Sequence, residues 1–338
     1  MLDLDLSLQL GEVSSLLFHP EEQMMIAGGM NGELNFCLFE NDVIERVEKK
    51  FRPKKNPIRC LEYLNEKIVS ADGEGYICLS SFDPKVIRRW KLEEGISSIC
   101  ALNNNIIVAG HDDGQITGID VRVREQIFSV HEQTDFVSSI VVARKDSPLK
   151  AVVATSGDCT LAVFDFRSLS DTSTCLVAMS DEQEDEMNCS LVLNSGQHVI
   201  TGSANGVVGI WKQGYWGDVK DRLPLYNKGI DGACSIEYLK KVDEKRFIAT
   251  TPDGIIRLMN LYPNTTEALL GVHRTADNKE VGTVSAMDCD PESGLVATSS
   301  GDGIVKFWKI PQETTVKTTK PQHQNPEKAS RQGFFGEI

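Results

Sequence analysis

Residues able to do chemistry are plentiful in this chain, but they are not spaced to do it together. The six histidines stand outside any Ser/His/Asp or Cys/His grouping, and no glycine-rich phosphate loop occurs. None of the nine cysteines forms a Cys-x-x-Cys pair. The expectation is therefore a non-enzyme without metal or cofactor. What remains is charged and aromatic surface. Arg46, Lys49, Lys50, Arg52, Lys54 and Lys55 form the densest basic run, either a solvated outer strand and loop, or a nuclear-import signal or RNA phosphate contact. It lacks the interleaved aromatics that stack bases. The pairs Asp120 with Arg122 and Asp165 with Arg167 repeat one pattern, readable as a local ion pair or as a docking edge. Ser180 to Glu186 carries five carboxylates without the glycine-punctuated spacing of a calcium loop, so a mobile acidic loop is expected, with Ser180 a candidate for phosphorylation. Trp216 falls outside the strand pattern and either plugs a crevice or anchors a partner. Phe334 and Phe335 end a polar tail, placed to dock in a partner pocket or to tuck back.

The elements that position these groups are short strands. Acidic or amide residues before tight turns recur as Asn31-Gly32, Glu74-Gly75, Asp113-Gly114, Asp158-Cys159, Asn205-Gly206, Asp253-Gly254 and Asp302-Gly303, each behind a run of small and branched apolar residues. Their separations, from 39 to 49 residues, suit a repeat of four strands. One such unit cannot bury both faces, so an all-β ring of seven units over residues 1–310 is predicted. Leu2, Leu4, Leu6, Leu8 and Leu10 alternate with polar residues, and this N-terminal strand is expected to complete the last unit, which has only three strands of its own. Residues 311–338 are polar and are expected to be a disordered tail. With 41% hydrophobic residues, a net charge of −14 and no long apolar run, the composition suits a globular chain with no membrane span and disfavours a globally cationic nucleic-acid binder. The odd cysteine count suits small core residues in a reducing compartment.

Period and turn chemistry resemble the WD-repeat family, which implies a seven-bladed WD-repeat β-propeller. In that family a His, a strand Ser or Thr, the turn Asp and a third-strand Trp form a hydrogen-bonded tetrad; His273, Thr298, Asp302 and Trp308 occupy the matching positions. Trp211 and Phe164 take the aromatic position in blades five and four, and His131 is the one plausible second tetrad His. The segments ending Asp120-Val121-Arg122 and Asp165-Phe166-Arg167 resemble the Trp-Asp-x-Arg box that docks the adaptor of cullin-RING ubiquitin ligases, with Ile119 and Phe164 in place of Trp.

Finer features narrow the likeness. Phe18-His19-Pro20, the stretch Asp253-Gly254-Ile255-Ile256-Arg257 leading to Asn260-Leu261-Tyr262-Pro263-Asn264, Lys306-Phe307-Trp308 and the tail diphenylalanine resemble the WD-repeat-containing protein 55 family and its fungal Jip-type relatives. That resemblance implies a non-enzymatic scaffold in nucleolar maturation of the large ribosomal subunit and its ribosomal RNA. Its expected partners are pre-ribosomal assembly factors, with pre-rRNA contact and a ubiquitin-ligase adaptor as further options. The chain is expected to be monomeric, in the nucleus and nucleolus, with the cytoplasm left open. The acidic extension that ends the family's longer tails is missing.

Overall fold

At each of the seven turns aligned in the sequence, the residue after the acidic or amide position takes the left-handed backbone: Gly32, Gly75, Gly114, Cys159, Gly206, Gly254 and Gly303 have φ between 67° and 90°. Glycine reaches that region without steric cost, which is why six of the seven are glycine. The preceding side chain closes the turn by accepting a backbone N–H two residues on, as Asp113 does from Gln115 at 3.0 Å and Asp158 from Thr160 at 3.0 Å. In the second unit the carboxylate has moved back to Asp72, which accepts from both Glu74 and Tyr76.

These turns join the second and third strands of seven four-stranded antiparallel sheets. The computed structural model describes residues 7–40, 43–83, 85–142, 151–167, 175–225, 234–275 and 280–311. First strands run Val13–Phe18, Ile58–Tyr63, Ile96–Asn103, Val137–Val142, Met187–Leu193, Tyr238–Lys241 and Val284–Asp290. Each packs beside the next, and the seventh beside the first, so the sheets form a closed seven-bladed β-propeller. Second strands such as Met24–Gly29, Ile106–His111 and Leu295–Ser300 are buried throughout, because neighbouring blades cover both of their faces. Outer strands such as Lys85–Lys91 alternate exposed and covered residues. The core lies between blades rather than inside any one of them; Phe128 of blade three, for example, stacks on Phe166 of blade four at 4.2 Å between ring centroids.

The ring closes through its N-terminus. Ser7–Gln9 pairs antiparallel with Ile304–Lys309, in the register Ser7 to Lys306, Leu8 to Val305 and Gln9 to Ile304. Leu8 and Leu10 pack on the cluster holding Val305 and Phe307, and the Leu10 amide donates to the Gly303 carbonyl at 3.0 Å. The rest of the expected closing strand, residues 2–6, lies outside the described residues. A second seam crosses three blades: Asp288 of blade seven accepts from the Phe18 amide of blade one at 2.7 Å and pairs with Lys240 of blade six at 2.9 Å.

Candidate interaction surfaces

Thr298 is the hub of the polar cluster in blade seven. Its buried hydroxyl oxygen accepts from Trp308 Nε1 at 2.9 Å and lies 2.8 Å from His273 Nδ1. Asp302 accepts from the Ser300 hydroxyl at 2.7 Å and from the Ile304 amide at 3.1 Å, while His273 Nε2 is buried with no hydrogen-bond partner among the described residues. His273, Thr298 and Trp308 are thus brought together with Thr298 at their centre, and the Asp302 charge reaches His273 from the adjoining turn. Burial and the nearby Lys306 charge hold His273 down at about 4, against an upward pull from Asp302. Gly271 of blade six makes room for the Trp308 ring, which a Cβ there would meet at 2.1 Å.

Degenerate versions occur elsewhere. Trp211 Nε1 donates to Thr201 Oγ1 at 3.0 Å in blade five. His131 is exposed and contacts the Asp113 carbonyl at 3.0 Å, and among the described residues it joins no such cluster. The sequence reading missed His111, fully buried, whose Nε2 lies 2.9 Å from Thr117 Oγ1 in the same blade.

At the ends of the third strands of blades three and four, each Asp clamps the Arg two residues on. Arg122 meets Asp120 at 2.5 to 3.1 Å, and Arg167 meets Asp165 at 2.5 to 3.0 Å. The guanidinium bonds hold both carboxyls below the usual range. Both arginines keep more than half of their side-chain surface in solvent, so each pair is a local clamp that also presents a cation at the rim. Of the basic run, Arg46, Lys49 and Lys50 lie on the outer strand Val43–Phe51, and their side chains fall outside the described residues. Arg52 pairs with Glu33 at 2.8 Å, Lys54 sits 3.5 Å over the Tyr76 ring, and Lys55 is exposed.

One expectation needs correction and one open alternative is decided. The acidic loop is tied down: the Asp181 amide donates to Gly217, the Gln183 amide to Cys159, and the Ser180 hydroxyl is buried between the Leu161 amide and the Asp181 carbonyl. A buried hydroxyl of this kind is a poor kinase target. Trp216 is buried too, packed with Leu161 and Val163 of blade four and Val199 and Trp211 of blade five. It is the plug and not an exposed anchor; large apolar surface is most stable where two blades can cover it. The exposed aromatic of that insertion is Tyr215. Phe334 and Phe335 lie outside the described residues.

The first strands line a central channel of about 1120 Å³. Around it, the residue at the second position of a first strand reaches the carbonyl that begins the next: Ser14 to Ile58 at 2.6 Å, Ser97 to Val137 at 2.7 Å, Ser138 to Met187, and Ser285 to Val13 at 2.8 Å. These hydroxyls staple blade to blade. The signal was visible as serines at a fixed strand position, but a serine beside water needs no partner, so spacing alone did not reveal the role.

Comparison with known proteins adds identity over length. The family described as WD domain, G-beta repeat, matches residues 273–309. The chain is similar to WD repeat-containing protein 55 of Arabidopsis thaliana, 25% identical over 87% of this chain and 79% of that protein. It is similar to WD repeat-containing protein JIP5 of Cryptococcus neoformans, 27% identical over 80% and 76%, and to WD repeat-containing protein 55 of Rattus norvegicus, 23% identical over 90% and 75%.

Proposed function

Because the chain is a WD-repeat β-propeller homologous over most of its length to proteins named WD repeat-containing protein 55 and JIP5, we propose that it is a non-enzymatic scaffold in nucleolar assembly of the large ribosomal subunit. The observation that carries this reading is the extent of the likeness, which takes in nearly all of a rigid ring rather than one repeat. Such a ring offers loops from seven blades on each face and a stapled core that holds them in fixed relation, which is what a platform for several protein partners requires. In this reading the partners are pre-ribosomal assembly factors and precursor ribosomal RNA. The test is affinity capture of the tagged chain from its own cells, with mass spectrometry and RNA sequencing of what it brings down. Large-subunit assembly factors and precursor rRNA are expected; their absence would overturn the reading.

A second reading, as substrate receptor of a cullin-RING ubiquitin ligase, draws on the two exposed arginines at the rims of blades three and four. It expects a cullin and its adaptor in the same capture, lost on Arg122→Ala or Arg167→Ala without loss of folding.

A further inference from the structure

On the rim of blades five and six, the loops after the third strands bring two exposed tyrosines into one chain of contacts. Tyr262 follows the strand Ile255–Leu261 and is 54% exposed; Tyr215 follows Val207–Lys212 and is 69% exposed. They are linked through His198. The Tyr262 hydroxyl lies 3.1 Å from His198 Nε2, with the two rings edge-on at 5.9 Å. The Asn194 side-chain amide donates to His198 Nδ1 at 3.3 Å, which leaves Nε2 protonated and donating to the Tyr262 hydroxyl. His198 pairs across the sheet with Lys212, and the Lys212 ammonium lies 5.2 Å from the Tyr215 ring. Tyr262 is thereby held by its hydroxyl while more than half of the residue stays in solvent, and among the described residues the ring of Tyr215 has the Lys212 ammonium near one face.

Two carboxylates of this rim are ion-paired, Asp218 with Arg222 at 3.0 Å and Glu244 with Lys241 at 2.6 Å, while Asp221 accepts from the neutral Asn264 amide at 2.5 Å and keeps its charge. Lys212 and Lys220 are exposed and pair with no carboxylate among the described residues. Lys220 is held on the same strand edge, its backbone amide donating to the Ile210 carbonyl at 2.9 Å, two residues before Lys212. Two open aromatic faces beside two unpaired cations fit a partner that is both flat and anionic at each unit.

We infer that this rim binds single-stranded nucleic acid, bases stacking on Tyr215 and Tyr262 and backbone phosphates meeting Lys212 and Lys220. Stacking on aromatic rings tolerates any sequence, since every base has a π face, and two cations give a shallow salt dependence. The site rests on the scaffold reading, in which precursor ribosomal RNA is a partner, and gives that contact a place; because it is tested on the purified chain alone, its failure would leave the capture of assembly factors untouched. Fluorescence anisotropy with a labelled oligouridine of about 12 nucleotides, across a salt series, reads it directly. Saturable binding is expected, with a slope of log affinity against log salt of about −1.4 for two neutralised phosphates. Tyr215→Ala and Tyr262→Ala should each weaken binding about tenfold, Tyr215→Phe should leave it nearly unchanged, and joint Lys212→Gln and Lys220→Gln should flatten the slope. No saturable binding at low salt overturns the inference, as does binding indifferent to both alanine changes in chains whose melting curves match the parent. Loss of a captured protein in the tyrosine variants, with oligouridine never bound, would assign the rim to a protein and also overturn it.

Discussion

Replacing Thr298 by valine keeps the volume of the side chain and removes only its hydroxyl. The consequence follows from the geometry. Trp308 Nε1 loses its acceptor at 2.9 Å, and His273, whose Nε2 already lacks a partner among the described residues, loses the contact at Nδ1 as well. Thr298 and His273 are fully buried, so water does not readily replace either bond. An unsatisfied buried polar group costs about 1 to 3 kcal/mol, and Trp308 is only partly covered, which puts the total at about 2 to 4 kcal/mol. Thr298→Ser reverses the chemistry: the hydroxyl stays and one methyl goes, at about 1 kcal/mol. Urea denaturation followed by the fluorescence of the four tryptophans gives both numbers. Calorimetry should place the valine variant about 4 to 8 °C below the parent and the serine variant about 2 °C below. If serine proves as damaging as valine, Thr298 acts by packing, and the hydrogen-bonded hub is the wrong explanation.

Acid should act through the buried histidines. His273 is held at about 4 in the folded chain against an ordinary 6.5, so the unfolded state takes up a proton first and stability falls as pH drops through that window, by up to about 3 kcal/mol from this residue. His111 and His198, also held down first by burial, act in the same direction; melting temperatures between pH 7 and 4 should fall less steeply in His273→Gln than in the parent. Trp216→Ala should lower stability by about 3 to 5 kcal/mol in denaturant titrations, as for a large core ring, whereas a docking anchor would leave the curve unmoved. Cys159→Gly, at the one aligned turn whose left-handed residue is not glycine, should stabilise the chain by about 0.5 to 1 kcal/mol in the same assay.

Fold and site were legible to different depths. The seven turns stood out because left-handed backbone demands glycine or a short polar neighbour, a constraint written directly into residue type. The closing strand was visible as alternating leucines, since Leu8 and Leu10 face the core while Gln9 faces out. Trp216 was ambiguous for a physical reason: a tryptophan in a loop suits a crevice and a partner equally, and only the packing of Val163 and Val199 around it decides. The acidic loop was misread because its carboxylates predict solvation, while what fixes it are backbone bonds to Gly217 and Cys159 that no side chain announces. The tyrosine rim escaped notice since Tyr215, His198 and Tyr262 are distant in sequence and meet only through strand register and the contact of neighbouring blades.

Depletion of the protein shows most directly what the ring is for. Cells stripped of the protein would be analysed on sucrose gradients, with probes for the rRNA precursors of each subunit. A fall in free large subunits with accumulation of large-subunit precursors, restored by the wild-type chain, is the result predicted. Unchanged subunit ratios and precursor levels in cells that have lost the protein would contradict it.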